Sequence, residues 1–196
     1  MIGGVILAAG ASQRMGRPKA LLDYRGQTFI DRLILVVSEV SDPVIVVLGY
    51  HADTIRPHIK SHARIVINPL PERGQLSSLQ TALRELPADA DGFLFLPVDC
   101  PTVRGDTIQR LAASFAARSS ETLFVIPRWE DKRGHPVFAA PEIAREILDL
   151  PPEAQARDVV HRHVGHTLYV DVDDPGILTD IDDPAAYQRL IEVQAT

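Results

Sequence analysis

The chain has 196 residues, 45% of them hydrophobic, which suits one domain with a substantial core. A formal net charge of −6 with no long basic run argues against a nucleic-acid partner, because binding a phosphate backbone needs a broad cationic face. Its one cysteine, Cys100, excludes an intramolecular disulfide, no apolar run reaches the roughly 18 residues of a membrane span, and "MIGGVILAAG" lacks the charged start and cleavage site of a secretory leader, so the expectation is a soluble, cytoplasmic protein with no membrane partner.

Short, almost continuously apolar runs recur along the chain: "VILAA" (5–9), "VIVVLG" (44–49), "RIVIN" (64–68), "FLFLPV" (93–98) and "TLFVIP" (122–127). Such runs suit strands covered on both faces, as in parallel sheets. Helical spacing lies between them, with Phe29, Leu33, Val36, Val37 and Val40 on one face, Leu79, Leu83 and Leu86 on a second, and Ile108, Leu111, Ala112 and Phe115 on a third. Strand and helix in alternation predict an α/β sheet with right-handed crossovers. After Pro127 the rhythm changes: "RWEDKRGHPVFAA" reads as a loop and a short strand, where the sheet becomes mixed, and "PEIAREILDL" starts a helix with proline in its first turn. "HTLYVDV" (166–172) is a further strand, followed by an acidic, turn-rich stretch and a terminal helix from Asp183-Pro184. With no internal repeat, low-complexity segment or linker, residues 1–196 are expected to form a single domain.

The first strand runs directly into "AAGASQRMGRPK", where Arg14, Arg17 and Lys19 occur with no acid among them. In open α/β sheets ligands bind at the carboxyl ends of the strands, and the turn after the first strand suits phosphate because backbone N–H groups and a helix N-terminus can face it. Gly10 and Gly16 do not make a G-x-G-x-x-G dinucleotide fingerprint. Nor do they make a Walker A loop, since five residues separate them and Arg17 follows. A solvated surface loop is the ordinary fate of three cations, but the strand and small residues before them point to a third kind of phosphate loop.

Asp99 follows "FLFLPV" on the same sheet edge, where a carboxylate can hold Mg²⁺ or cap the next helix. "NPLPERGQLSSLQTAL" (68–83) ends a strand and enters a helix through Gly74, Ser77 and Ser78, which offer free N–H groups and hydroxyls. His161, His163 and His166 sit at alternate spacing that shares no helix face, so no metal site is expected there. The six aspartates of "DVDDPGILTDIDDP" (171–184) read mostly as turn and cap residues.

Leu7, Ala8, Ala9, Gly10, Ser12, Arg14, Met15, Gly16 and Lys19 together spell L-A-A-G-x-S-x-R-M-G-x-x-K. This resembles the signature loop of the nucleotidyltransferases similar to molybdenum cofactor cytidylyltransferase. The resemblance extends over nearly the whole chain and is strongest in its first hundred residues. It implies a nucleotide-diphospho-sugar transferase fold, a three-layer α/β/α arrangement on a mostly parallel, mixed sheet. It also implies transfer of CMP from CTP to the terminal phosphate of molybdopterin, with release of pyrophosphate. By position, Leu7 to Gly10 and Ser12 would approach the nucleotide, and Arg14 and Lys19 would bind the triphosphate and stabilise departing pyrophosphate. Val98-Asp99-x-Pro101 matches a family motif whose Asp is a metal ligand, here for Mg²⁺. Gly74, Ser77 and Ser78 fall on an element that lies against base and ribose, with Gln75 placed to read the base edge. Gly134 and His135 match a Gly-His-Pro element near the acceptor phosphate. Asp180 to Pro184 match Asp-Ile-Asp-x-Pro, so that a second metal ligand would come from Asp171, Asp173 or Asp180. The family's Gly-Asp-x-Gly-Ala-Arg survives only as Ala156-Arg157, which keeps Arg157 on the acceptor side and weakens the assignment of the acceptor. The alternatives are a related nucleotidyltransferase using GTP, another nucleoside triphosphate or a sugar-phosphate acceptor, and a non-catalytic nucleotide-binding regulator, against which Asp99 speaks. A monomer and a small homo-oligomer both remain open.

Overall fold

The apolar runs become strands of one sheet. The computed structural model describes residues 1–194. The chain begins with β1 (Ile2–Ala8), a small hairpin of β2 (Asp23–Tyr24) and β3 (Gln27–Thr28), α1 (Phe29–Ser38), β4 (Val44–Leu48), α2 (Ala52–Ile55) and β5 (Arg64–Ile67). It continues through α3 (Gly74–Leu83), β6 (Gly92–Pro97), α4 (Gly105–Ala116), β7 (Phe124–Trp129), β8 (Lys132–Arg133) and β9 (Val137–Ala139). It closes with α5 (Pro141–Leu148), α6 (Ala156–Arg162), β10 (Thr167–Asp171) and α7 (Pro184–Gln194). No described helix is long and apolar enough to cross a membrane.

The main sheet runs β10-β7-β9-β6-β1-β4-β5, with β8 added against β7. Neighbours pair in parallel except around β9, which is antiparallel to both β6 and β7, and at the β7–β8 hairpin. The sheet is therefore mostly parallel and mixed after Pro127, as the change of rhythm predicts.

The central strands are apolar at successive positions because both faces are covered. Ile6, Val46, Leu48 and Leu94 face a layer built from α1, α4 and α7, while Val5, Leu7, Ile45 and Phe93 face α3, α5 and α6. Three layers follow from that alternation. Helix α1 starts where Thr28 Oγ1 caps Asp31 N–H at 3.2 Å and donates back to the Asp31 carboxylate at 2.8 Å.

Two expectations are corrected. "RIVIN" is covered only in part: β5 is an edge strand, Ile65 and Val66 are half-buried on opposite faces, and Ile67 at its end is 46% exposed. Nor does an α-helix follow the first turn directly. The chain instead passes through one-turn helices at Gln13–Met15 and Lys19–Leu21 and the β2–β3 hairpin before α1 begins.

Candidate active site

The carboxyl ends of β1 and β6 lie side by side, so the loop after Ala8 and the segment after Pro97 open onto the same space. That space is a cavity of about 410 Å³. Its lining includes Leu7, Ala8, Ala9, Gly10, Ser12, Arg14 and Lys19 from the first loop, Gly74, Gln75 and Ser78 from the start of α3, and Asp99. Thus the elements singled out from separate stretches of sequence converge.

The loop is shaped by its own short bonds. Ser12 adopts a left-handed conformation, its carbonyl accepts from Met15 N–H at 3.0 Å, and its hydroxyl accepts from Lys19 N–H at 3.2 Å. These contacts turn the Lys19 side chain inward. His51, just ahead of α2, braces the loop from behind: its Nε2 lies 2.8 Å from Ala11 O, and because a carbonyl only accepts, Nε2 carries the proton. Gly49 allows that approach, since a Cβ there would stand 2.6 Å from Ala9 O.

Lys19 is the electrostatic centre. Its side chain is only 13% exposed, and its ammonium lies 3.0 Å from Asp99 Oδ2 and 2.6 Å from Asp182 Oδ1. Arg14 Nη2 reaches the other oxygen of Asp182 at 2.8 Å. Burial pulls the Lys19 pKa down, but hydrogen bonds and charge from Asp182 and Asp99 outweigh it and leave it raised. The hydrogen bond from Lys19, joined by Arg14, holds Asp182 below the usual carboxylate range.

Asp99 also belongs to a second grouping. Ligand atoms of Asp99, Cys100 and Asp180 all lie within 4.8 Å of one another. Burial, reinforced by Asp99 and Asp180, pushes the Cys100 thiol well up, so it stays protonated and lies 3.3 Å from Asp180 Oδ1 as a weak donor. The carboxylate oxygens of Asp99 and Asp180 are hard donors that fit Mg²⁺ or Mn²⁺, while the protonated sulfur adds nothing for such an ion.

Other expected site residues are placed elsewhere. Ser77 lies outside the cavity lining, and its hydroxyl donates to Asn68 Oδ1 and Leu70 O, both at 3.1 Å. It braces the turn into α3 rather than facing a nucleotide. Asp171, at the end of β10, is bound by Arg128 through two hydrogen bonds of 2.6 and 3.0 Å, and Asp173 is exposed beyond it. Asp180 is the member of that trio brought beside Asp99. Gly134 packs against Ile177, where a Cβ would stand 2.1 Å from its carbonyl oxygen. The His135 ring lies edge-on to Phe95, and burial lowers its pKa against the upward pull of Asp180 and Asp99. Arg157 lines a separate cavity of about 440 Å³ that shares Gly74 and Gln75 with the first. His163 pairs with Glu146 at 2.7 Å and His166 with Glu121 O at 2.9 Å, with no metal-ligand group among the described histidines.

His51 and Asn68 are not singled out by the sequence, and Asp182 only as a position of the Asp-Ile-Asp-x-Pro match, with no role assigned. A signal existed only for Asp182: two cations turned into a cavity need an anion, and "DIDDP" supplies it.

Solved structures similar to this chain share the whole fold. Rv0371c from Mycobacterium tuberculosis H37Rv has a TM-score of 0.81 at 30% identity over 98% of both chains. The same protein described as a complex with manganese gives 0.77 at 28%, over 97% of this chain and 98% of that one. A nucleotidyl transferase from Methanothermobacter thermautotroptrophicus gives 0.82 at 24%, over 100% and 99%, a likeness of fold alone. Among curated proteins, a probable molybdenum cofactor guanylyltransferase of Bacillus cereus (strain ZK / E33L) is 32% identical over 51% of this chain and 50% of its own length. The bifunctional protein GlmU of Prochlorococcus marinus (strain MIT 9211) is 28% identical over 66% of this chain and 30% of its own. Both matches thus span half or less of those relatives. Residues 4–167 match the family described as the MobA-like NTP transferase domain, and the chain belongs to that family of nucleotidyltransferases.

Proposed function

We propose that this protein transfers CMP from CTP to the terminal phosphate of molybdopterin and releases pyrophosphate. The observation that carries the reading is the position of Lys19 between Asp99 and Asp182 at the floor of a cavity walled by the small-residue loop. An acceptor phosphate oxygen attacks the α-phosphorus, the bond to the bridging oxygen breaks, and that oxygen leaves with the electron pair as pyrophosphate. The acceptor is ionised near neutral pH, so no general base is needed, and the site has to screen anions from one another. Arg14 and Lys19 supply positive charge to the β- and γ-phosphates, and that of Lys19, whose side chain is 13% exposed, is worth more than that of the exposed Arg14 because less water screens it. Asp99 and Asp180 would hold a divalent ion, Mg²⁺ first, which supplies charge screening at the α-phosphate. Gly74, Gln75 and Ser78 would line the base and ribose, and Arg157 stands in an adjoining cavity suited to the acceptor.

A second reading keeps the chemistry and changes the base. The Bacillus relatives carry a guanylyltransferase name, which favours GTP as the alternative donor. Thermal unfolding with Mg²⁺ and each of CTP, GTP, ATP and UTP decides: a ligand at about 100 times its dissociation constant adds roughly 2.7 kcal/mol. A rise with CTP alone supports the first reading, a rise with GTP alone the second, and no rise with any nucleotide refutes both.

A further inference from the structure

Arg17 is the cation of "AAGASQRMGRPK" that the cavity does not use: it is exposed and stands outside the lining that holds Arg14 and Lys19. Its guanidinium lies instead over the ring of Tyr187 in α7, 5.4 Å from the ring centre. The same tyrosine meets the chain again beyond Lys19. Its hydroxyl donates to Asp23 O at 3.0 Å and accepts from Asp23 N–H at 3.1 Å, taking both backbone groups of one residue as a neighbouring strand would. The ring is held in turn by the fully buried Phe29, edge-on with 6.0 Å between centres. Between Arg17 and Asp23 lies the one-turn helix that carries Lys19. Buried Ala20 and Leu22 seat this segment on the core, and Tyr187 ties its two ends.

We propose that Tyr187 is a positioning residue for phosphate binding, which clamps segment 17–23 at both ends so that the Lys19 ammonium faces the cavity before a nucleotide arrives. The inference rests on the reading of the first loop as a phosphate site. A short segment pinned at each end has little freedom left to lose on binding, and such pre-ordering appears as affinity. Tyr187 itself stands outside the cavity lining, so its effect passes through Lys19. Arg17 thereby has a role of its own, as the cation that binds α7 rather than substrate.

The test titrates inorganic tripolyphosphate, which has neither base nor ribose, into chelator-treated protein at low salt, where weak phosphate complexes stay measurable. Tyr187→Leu, which removes both ring and hydroxyl, should bind the probe on the order of fivefold more weakly, and Tyr187→Phe, which keeps the ring, should lose less. The loss should vanish in a Lys19→Ala background, where nothing is left to position, and persist in an Arg14→Ala background. A merely structural role would lower binding by the same factor in every background. Tyr187→Leu binding like the unaltered protein, or losing the same factor with and without Lys19, overturns the clamp and leaves the phosphate site intact. Should Tyr187→Leu fail to fold, Tyr187→Phe with and without Lys19 decides by the same criterion. Lys19→Ala binding like the unaltered protein, or no binding by the unaltered protein, overturns the phosphate site and the clamp with it.

Discussion

His51 shows how a residue outside the cavity sets the shape of one within it. Its Nε2–H holds the Ala11 carbonyl, and Ala11 precedes the serine whose hydroxyl closes the loop on Lys19. Replacing it with alanine removes one hydrogen bond of about 1 kcal/mol and frees the loop to shift. His51→Ala should therefore raise the KM for the nucleoside triphosphate about fivefold and lower kcat less; steady-state kinetics would check the split, and an unchanged KM would contradict the bracing role. Arg14, Lys19 and Asp99 were legible in the sequence because each stands in a run whose spacing has chemical meaning. Asp182 was legible only as a position of Asp-Ile-Asp-x-Pro and not as the partner of Lys19, and His51 was not legible, because their partners lie 163 and 40 residues away and contacts at that separation are made only by the fold.

The turn from β5 into α3 depends on Asn68. This side chain, 2% exposed, donates to Ser78 Oγ at 3.1 Å and accepts from Ser77 Oγ at 3.1 Å and Leu70 N–H at 2.9 Å. It thereby fixes the start of the helix that carries Gly74, Gln75 and Ser78 to the cavity. Asn68→Ala removes three hydrogen bonds and leaves Leu70 N–H without its partner, while Ser77 and Ser78 keep their bonds to Leu70 O and Gly74 O, and should cost about 2–3 kcal/mol, read as a lower urea midpoint at unchanged slope. The loss of a single solvated bond would move the midpoint far less and would show that Asn68 is not the hub. Elements of this kind are only half legible. "NPLPERGQLSSLQ" announces a strand end and a helix start, but whether a serine faces the cavity or the turn depends on backbone angles set by Asn68. Ser77 accordingly belongs to the turn and Ser78 to the cavity wall. Apolar runs predicted the strands well, yet "RIVIN" resembles the central runs in sequence and differs only in lacking a neighbour on its outer side.

Across the whole molecule, α1 is tied to the segment beyond α2 by one carboxylate. Asp31 accepts from Lys60 N–H at 2.9 Å and Ser61 N–H at 2.8 Å. Burial pushes its pKa up, but the bonds from Ser61, Thr28 and Lys60 prevail and leave it lowered. A folded-state pKa below the unfolded one gives stability that is complete above about pH 4 and is lost as pH falls through the folded value. Melting temperature measured from pH 6 downward should fall more steeply in the unaltered protein than in Asp31→Asn, whose side chain no longer titrates there; parallel curves would remove Asp31 from the acid response. The layered sheet was readable from the alternation of strand and helix, since covering both faces forces apolar residues at successive positions. How Gly134, His135 and Arg157 sit relative to one another was not readable, because they come from elements whose mutual placement no local pattern encodes. The most direct measurement is pyrophosphate release from CTP or GTP in the presence of molybdopterin and Mg²⁺, comparing the unaltered protein with Lys19→Ala and Asp99→Ala. Release should match nucleotide transfer and should fall by about two to three orders of magnitude in each variant, on the order of an oxyanion-hole deletion, with folding retained. Unaltered turnover in Lys19→Ala, or no release from either nucleotide, would contradict the proposed transfer.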